Sequence, residues 1–176
     1  MTAPSEETVL PLRSIGLRMR TAFVGLAMTV PAIAAPPSFV GSQIPPRPSD
    51  CSVAAGAVLG DRDKPNNLAY EHLKCGNREL VLLLRLIERR EGEPHFLVVD
   101  QVEPFIAPYQ RLMDILMCSP LAEGGGNVIA VGTLSRVTAR RLVAYDLTFA
   151  WRFDLSAEKI QPIPPNEVSC EWTNVD

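Results

Sequence analysis

The chain has 176 residues, 47% hydrophobic and 21% charged, with a formal net charge of -3. That balance excludes a disordered polar chain. Without a basic excess, recognition of a nucleic-acid backbone has no electrostatic source, and at this length one domain is the default.

Taken from the amino end, Arg13, Arg18 and Arg20 precede an uncharged run from Thr21 to Ile33, and Ala32-Ile33-Ala34 closes it with small residues. Positive, apolar and small-residue regions in that order are the layout of a secretory signal peptide. The run is too short to span a bilayer, which takes ~20 residues, and Pro31 breaks its helix just ahead of the cut. The leader before Arg13 carries Glu6 and Glu7, so Met19 offers an alternative start. Residues 1–34 are therefore expected to be removed on export to the periplasm or the cell exterior. Residues 35–49, with Pro36, Pro37, Pro45, Pro46 and Pro48, are expected to be an extended linker. Residues 50–176 then fold as a single domain, with no stable membrane span after cleavage.

Within that domain, Ser52–Leu59 is small and apolar and suits a short helix. Asn67 can cap a helix through Lys74, with Gly76 just past its end. Glu79–Glu91 and Phe96–Val102 read as strands around the turn signal Gly92-Glu93-Pro94. Pro104 ends the second of these, and Pro108 opens a helix to about Met117 that would place Tyr109, Leu112, Met113 and Leu116 on one face. From Val143 to Leu155 apolar and other residues alternate over thirteen positions, the period of a long antiparallel strand with one buried face. Val128–Leu134 is its expected hairpin partner, and Ile160–Ile163 and Val168–Trp172 are short closing strands. The expected class is α+β: a small, disulfide-stabilised domain dominated by an antiparallel sheet, with one to three short helices.

Cys51, Cys75, Cys118 and Cys170 all follow the leader. An even number in an oxidising compartment points to two disulfides. Of three connectivities, the expected one ties the ends through Cys51–Cys170 and staples the middle through Cys75–Cys118. No pair has the C-x-x-C spacing used for metal binding or thiol exchange, and no metal or cofactor is expected.

Candidates for chemistry are few. Asp100 lies inside an apolar strand and, if buried, needs a partner such as Arg85, Arg140 or Arg152. The favoured reading of Asp100 is a salt-bridged structural carboxylate and of His72 and His95 structural histidines; the alternative is an acid or base at Asp100 acting with an arginine and His95. Ser119 and Ser135 lack a nucleophile setting. Asp61, Asp63 and Asn66 miss the turn glycine and closing glutamate of a calcium loop, and Gly124-Gly125-Gly126 lacks the residues of a phosphate loop. Trp151 falls on the apolar face of its strand and is expected in the core. Trp172, two residues past Cys170, is expected nearer the surface. The stretch Ala150-Trp151-Arg152-Phe153-Asp154, followed by a turn and a terminal cysteine, is similar to arrangements in small secreted bacterial proteins and implies no activity. The expectation is a non-catalytic module that binds another exported protein or an envelope component, with a small hydrolase or lyase using Asp100 as the alternative.

Overall fold

The computed structural model describes residues 38–60, 67–122, 127–138 and 141–173. The expected leader, the faint calcium loop from Asp61 onward, Arg140 and the three-glycine loop lie outside the described residues.

Among the described residues there are eleven strands, one 3-10 turn at Pro165–Glu167 and no α-helix. The strands are β1 (Gln43–Ile44), β2 (Cys51–Val58), β3 (Leu68–Cys75), β4 (Arg78–Arg90), β5 (Glu93–Val102), β6 (Arg111–Met113), β7 (Cys118–Pro120), β8 (Val128–Thr138), β9 (Arg141–Asp154), β10 (Lys159–Ile163) and β11 (Val168–Thr173). The antiparallel, disulfide-bonded sheet architecture matches expectation; the one to three helices do not.

Each misplaced helix has a local cause. The segment 67–74 becomes β3 because Gly76, at φ +62°, turns a two-residue hairpin into β4. A positive-φ glycine serves a hairpin as well as a helix end. Ser52–Leu59 becomes β2 by pairing with β3. Pro108 opens a tight turn, closed by the Gln110 amide bonding to the Ala107 carbonyl at 2.8 Å, and proline suits that turn's second position as well as a helix start. A second turn follows at Asp114, where the Met117 amide reaches the Asp114 carbonyl at 3.1 Å. Leu112 and Met113 thus lie on a strand, and Tyr109 and Leu116 are exposed rather than on a shared apolar face.

The strands form two sheets. The first has the order β1-β5-β4-β3-β2, and the second runs β6-β8-β9-β11-β7 with β10 added to β9. They pack face to face. Leu68 and Tyr70 of β3 and Val81 and Leu83 of β4 meet Ile129 and Val131 of β8 and Trp151 and Phe153 of β9 in one buried cluster. Trp151 is core, as expected. Period-two alternation delivers one such face per strand.

Each sheet also buries its outer face, which is why β4 reads as a continuous apolar run rather than an alternating one. On the first sheet, Leu73, Leu80, Leu82, Leu84 and Val98 lie beneath Ile44 and Phe39. Residues 38–48 are not the uniformly extended linker expected: the Ser42 amide bonds back to the Phe39 carbonyl at 2.8 Å in a turn with Gly41 at φ +87°, and the segment forms a strap over this face, with β1 paired to β5 and the Gly41 amide bonded to the Val98 carbonyl at 2.8 Å. On the second sheet, Met113, Cys118, Val128, Ala130, Ala150, Val168 and Cys170, drawn from β6, β7, β8, β9 and β11, form one buried cluster. Ala130 of β8 and Ala150 of β9 face each other within this cluster.

The long alternation in β9 is interrupted. The register slips between Val131 and Thr133 of β8, and Asp146 adopts φ +51°. A bulge of this kind shifts which face a side chain takes. Leu147 consequently joins the outer cluster with Leu134 and Ala144, while Tyr145 and Phe149 stay exposed. Gly132 sits at the slip, where a Cβ would come within 3.0 Å of the Tyr145 carbonyl oxygen.

Candidate functional site

Both disulfides join facing residues of neighbouring strands: Cys51–Cys75 between β2 and β3, and Cys118–Cys170 between β7 and β11. The expected pairing of Cys51 with Cys170 and of Cys75 with Cys118 is corrected. Strand register brings facing residues close, and Cys51 and Cys170 belong to different sheets.

Asp100 lies on β5 and turns toward the second sheet. Its carboxylate accepts the Ile160 amide of β10 at 2.8 Å and lies 3.8 Å from the Lys159 ammonium. Of the three arginines considered as partners, Arg85 instead bonds Glu158 at 2.7 Å, and the buried Nε of Arg152 has no hydrogen-bond partner. His95 is also on β5, opposite Glu88. Five residues of extended strand separate it from Asp100, about 17 Å at the usual rise, so the structure does not bring the pair together. His72 is buried on β3, where its Nε2 lies 2.7 Å from Glu79. Ser119 is on β7 and Ser135 on β8, each in a strand ladder. Among the described residues no group of three or more His, Cys, Asp or Glu side chains could hold a metal ion.

Several other charged side chains pair between segments distant in the chain. Arg78 and Glu103 form a two-bond pair at 2.6 and 2.7 Å, and Arg141 and Glu171 another at 2.7 and 2.8 Å. In each pair hydrogen bonding from the guanidinium holds the glutamate below the usual carboxylate range. On the first sheet's outer face, Arg47 of the strap pairs with Glu71 of β3 beside an apolar groove of about 260 Å³ under Phe39, Ile44 and Pro46.

A second cleft, of about 270 Å³, opens where the β6–β7 turn meets the far ends of β9 and β11. Asp114, Leu116, Met117, Leu142 and Trp172 line it. Trp172 and Leu142 face each other across the β11–β9 ladder. The Glu171 amide bonds to the Met117 carbonyl at 2.7 Å, which fixes β11 against the turn. Trp172 is 39% exposed and Leu116 is 77% exposed, whereas the adjoining Cys118–Cys170 bridge is buried. One Asp114 oxygen accepts the Leu116 amide at 3.0 Å. Among the described residues no cation pairs with this carboxylate.

The cleft is tied to the core through Tyr70, whose phenol is pushed up to about 12. Burial is the main cause, the Asp114 charge adds to it, and a hydrogen bond from the Ile115 backbone opposes it. Sequence reading singled out Trp172 but missed Asp114, Leu116 and Leu142. An aspartate followed two residues later by a backbone amide it can accept is a turn signal, and it was masked by the apparent helix around it. No family model, curated protein or solved structure gives a significant match to this chain.

Proposed function

We propose that this chain is an exported, non-catalytic binding domain that recognises another exported protein or an envelope component through the surface around Trp172. The observation that carries the reading is the use of Asp100. The carboxylate best placed by sequence for acid–base work is engaged in holding β10 against β5, and its histidine companion is far along the strand. Exposed apolar side chains, in contrast, gather beside the buried Cys118–Cys170 bridge. A rigid, disulfide-backed edge presenting an aromatic anchor suits recognition. Export is supported by the two disulfides, which persist in oxidising compartments, and is compatible with no helix among the described residues being long and apolar enough to cross a membrane.

The test is site-specific photocrosslinking in the source cell. A crosslinker at Leu116 should capture one discrete partner, and one at the exposed Val40, on the strap over the first sheet, should not. Asp100→Asn should leave that capture intact. Turnover of an envelope substrate by the purified chain, abolished by Asp100→Asn, would replace this reading with the hydrolytic one.

A further inference from the structure

We propose that the Trp172 cleft receives a single basic side chain of a protein partner, its alkyl stem against Leu116 and Leu142 and its charge between the indole face and the Asp114 carboxylate; this rests on the binding reading above. Three features point there. First, among the described residues Asp114 is the one ionisable side chain lining the cleft, and no described cation pairs with it. Of the described arginines beside the cleft, Arg141 is held by Glu171 through two hydrogen bonds, and Arg136, which faces Leu142 on β8, does not pair with Asp114. Among the described residues this carboxylate has no bonded cation, and a cation is the complementary ligand.

Second, the remaining walls are Leu116, Met117, Leu142 and Trp172. An indole face attracts an ammonium or guanidinium group through its quadrupole, and Trp is the strongest of the aromatic side chains in this respect. Apolar walls suit the methylene stem that a long basic side chain carries behind its charge. A sugar would need several directional polar partners besides one ring to stack on, and this lining offers one carboxylate.

Third, the size fits one side chain. Pockets that take whole small ligands run from ~300 to ~1,000 Å³, and this cleft, at about 270 Å³, falls below that range. Asp114 is also held in place, its Oδ1 accepting the Leu116 amide at 3.0 Å. A pre-positioned carboxylate costs less ordering on binding.

The experiment is an NMR titration of the full chain with n-butylammonium, the lysine side chain in isolation, with n-butanol and glucose as neutral probes. The Trp172 indole N–H signal is assigned by its loss in Trp172→Phe. Butylammonium should shift that signal with a dissociation constant on the order of millimolar, and Asp114→Asn should weaken it by at least about tenfold. Asp100→Asn should change nothing. An equal response to butanol or glucose, no response to butylammonium, or a response that survives Asp114→Asn would overturn the proposal. Photocrosslinking from Leu116 separates this from the broader reading. If the Asp114→Asn chain still captures its partner as well as the parent does, the basic-side-chain ligand is wrong and the binding domain stands.

Discussion

At the scale of single residues, Tyr70 shows how the core and the candidate site are joined. It is 2% exposed, stacks at a tilt against Phe153 with centroids 5.4 Å apart, and feels the Asp114 charge. Its folded pKa of about 12 lies above the ordinary value of 10.0, so the folded state keeps the proton longer than the unfolded chain does. The stability this contributes is complete below pH ~10 and is lost as pH rises toward ~12, by up to roughly 3 kcal/mol. Denaturant midpoints between those pH values should fall in the parent and fall less in Tyr70→Phe. Asp114→Asn should bring phenol ionisation, followed by ultraviolet absorbance, to lower pH. An unchanged phenol titration would mean that Asp114 is not charged beside it. Of the residues that sequence reading marked, Trp151 and Trp172 are placed as expected, because strand parity and distance from the chain end decide them. Asp100 was legible as a carboxylate in an apolar strand. Its partner was not, because Lys159 and the Ile160 amide come from a strand 60 residues away.

At the scale of elements, strands that were continuously apolar or alternating between turn signals were legible, and those built of small or mixed residues were not. The stretches read as β4, β5, β8, β9, β10 and β11 are all strands. The segments read as helices, β2, β3 and the β6 region, failed because alanine, leucine, asparagine and glycine carry signals that either a helix or a hairpin can use. Neighbouring strands settled the matter, as tertiary context often overrides weak propensity. The strap is the element whose packing sequence reading did not anticipate. Proline explains why residues 38–48 hold no helix, but not that they turn at Gly41 and cover Leu73, Leu82 and Val98. Ile44 is the side chain that anchors it. Ile44→Ala should destabilise by ~2–4 kcal/mol if strap and sheet unfold together. If the strap opens alone, hydrogen exchange should rise at Gly41 and Val98, whose amides it engages, and not at Leu83. Unchanged exchange at Gly41 and Val98 together with unchanged stability would show that Ile44 is not an anchor.

At the scale of the whole molecule, two sheets share one interior and each buries its second face. The disulfides do not join the sheets. Each locks a pair of facing strands within one sheet, so contact between the sheets rests on the apolar cluster and on ties such as Asp100 with Ile160. In the chain-entropy picture the bridges constrain the unfolded chain by about 3.5 kcal/mol for Cys51–Cys75 and about 4 kcal/mol for Cys118–Cys170. A domain held this way suits an oxidising compartment, where the candidate cleft, seated beside the second bridge, would be held rigid. The most direct test of the account is mass spectrometry, without reduction, of the chain purified from its source organism. The account predicts a form trimmed near Ala34, with Cys51 linked to Cys75 and Cys118 linked to Cys170. An untrimmed chain with four free thiols, or with bridges crossing between the sheets, would contradict it.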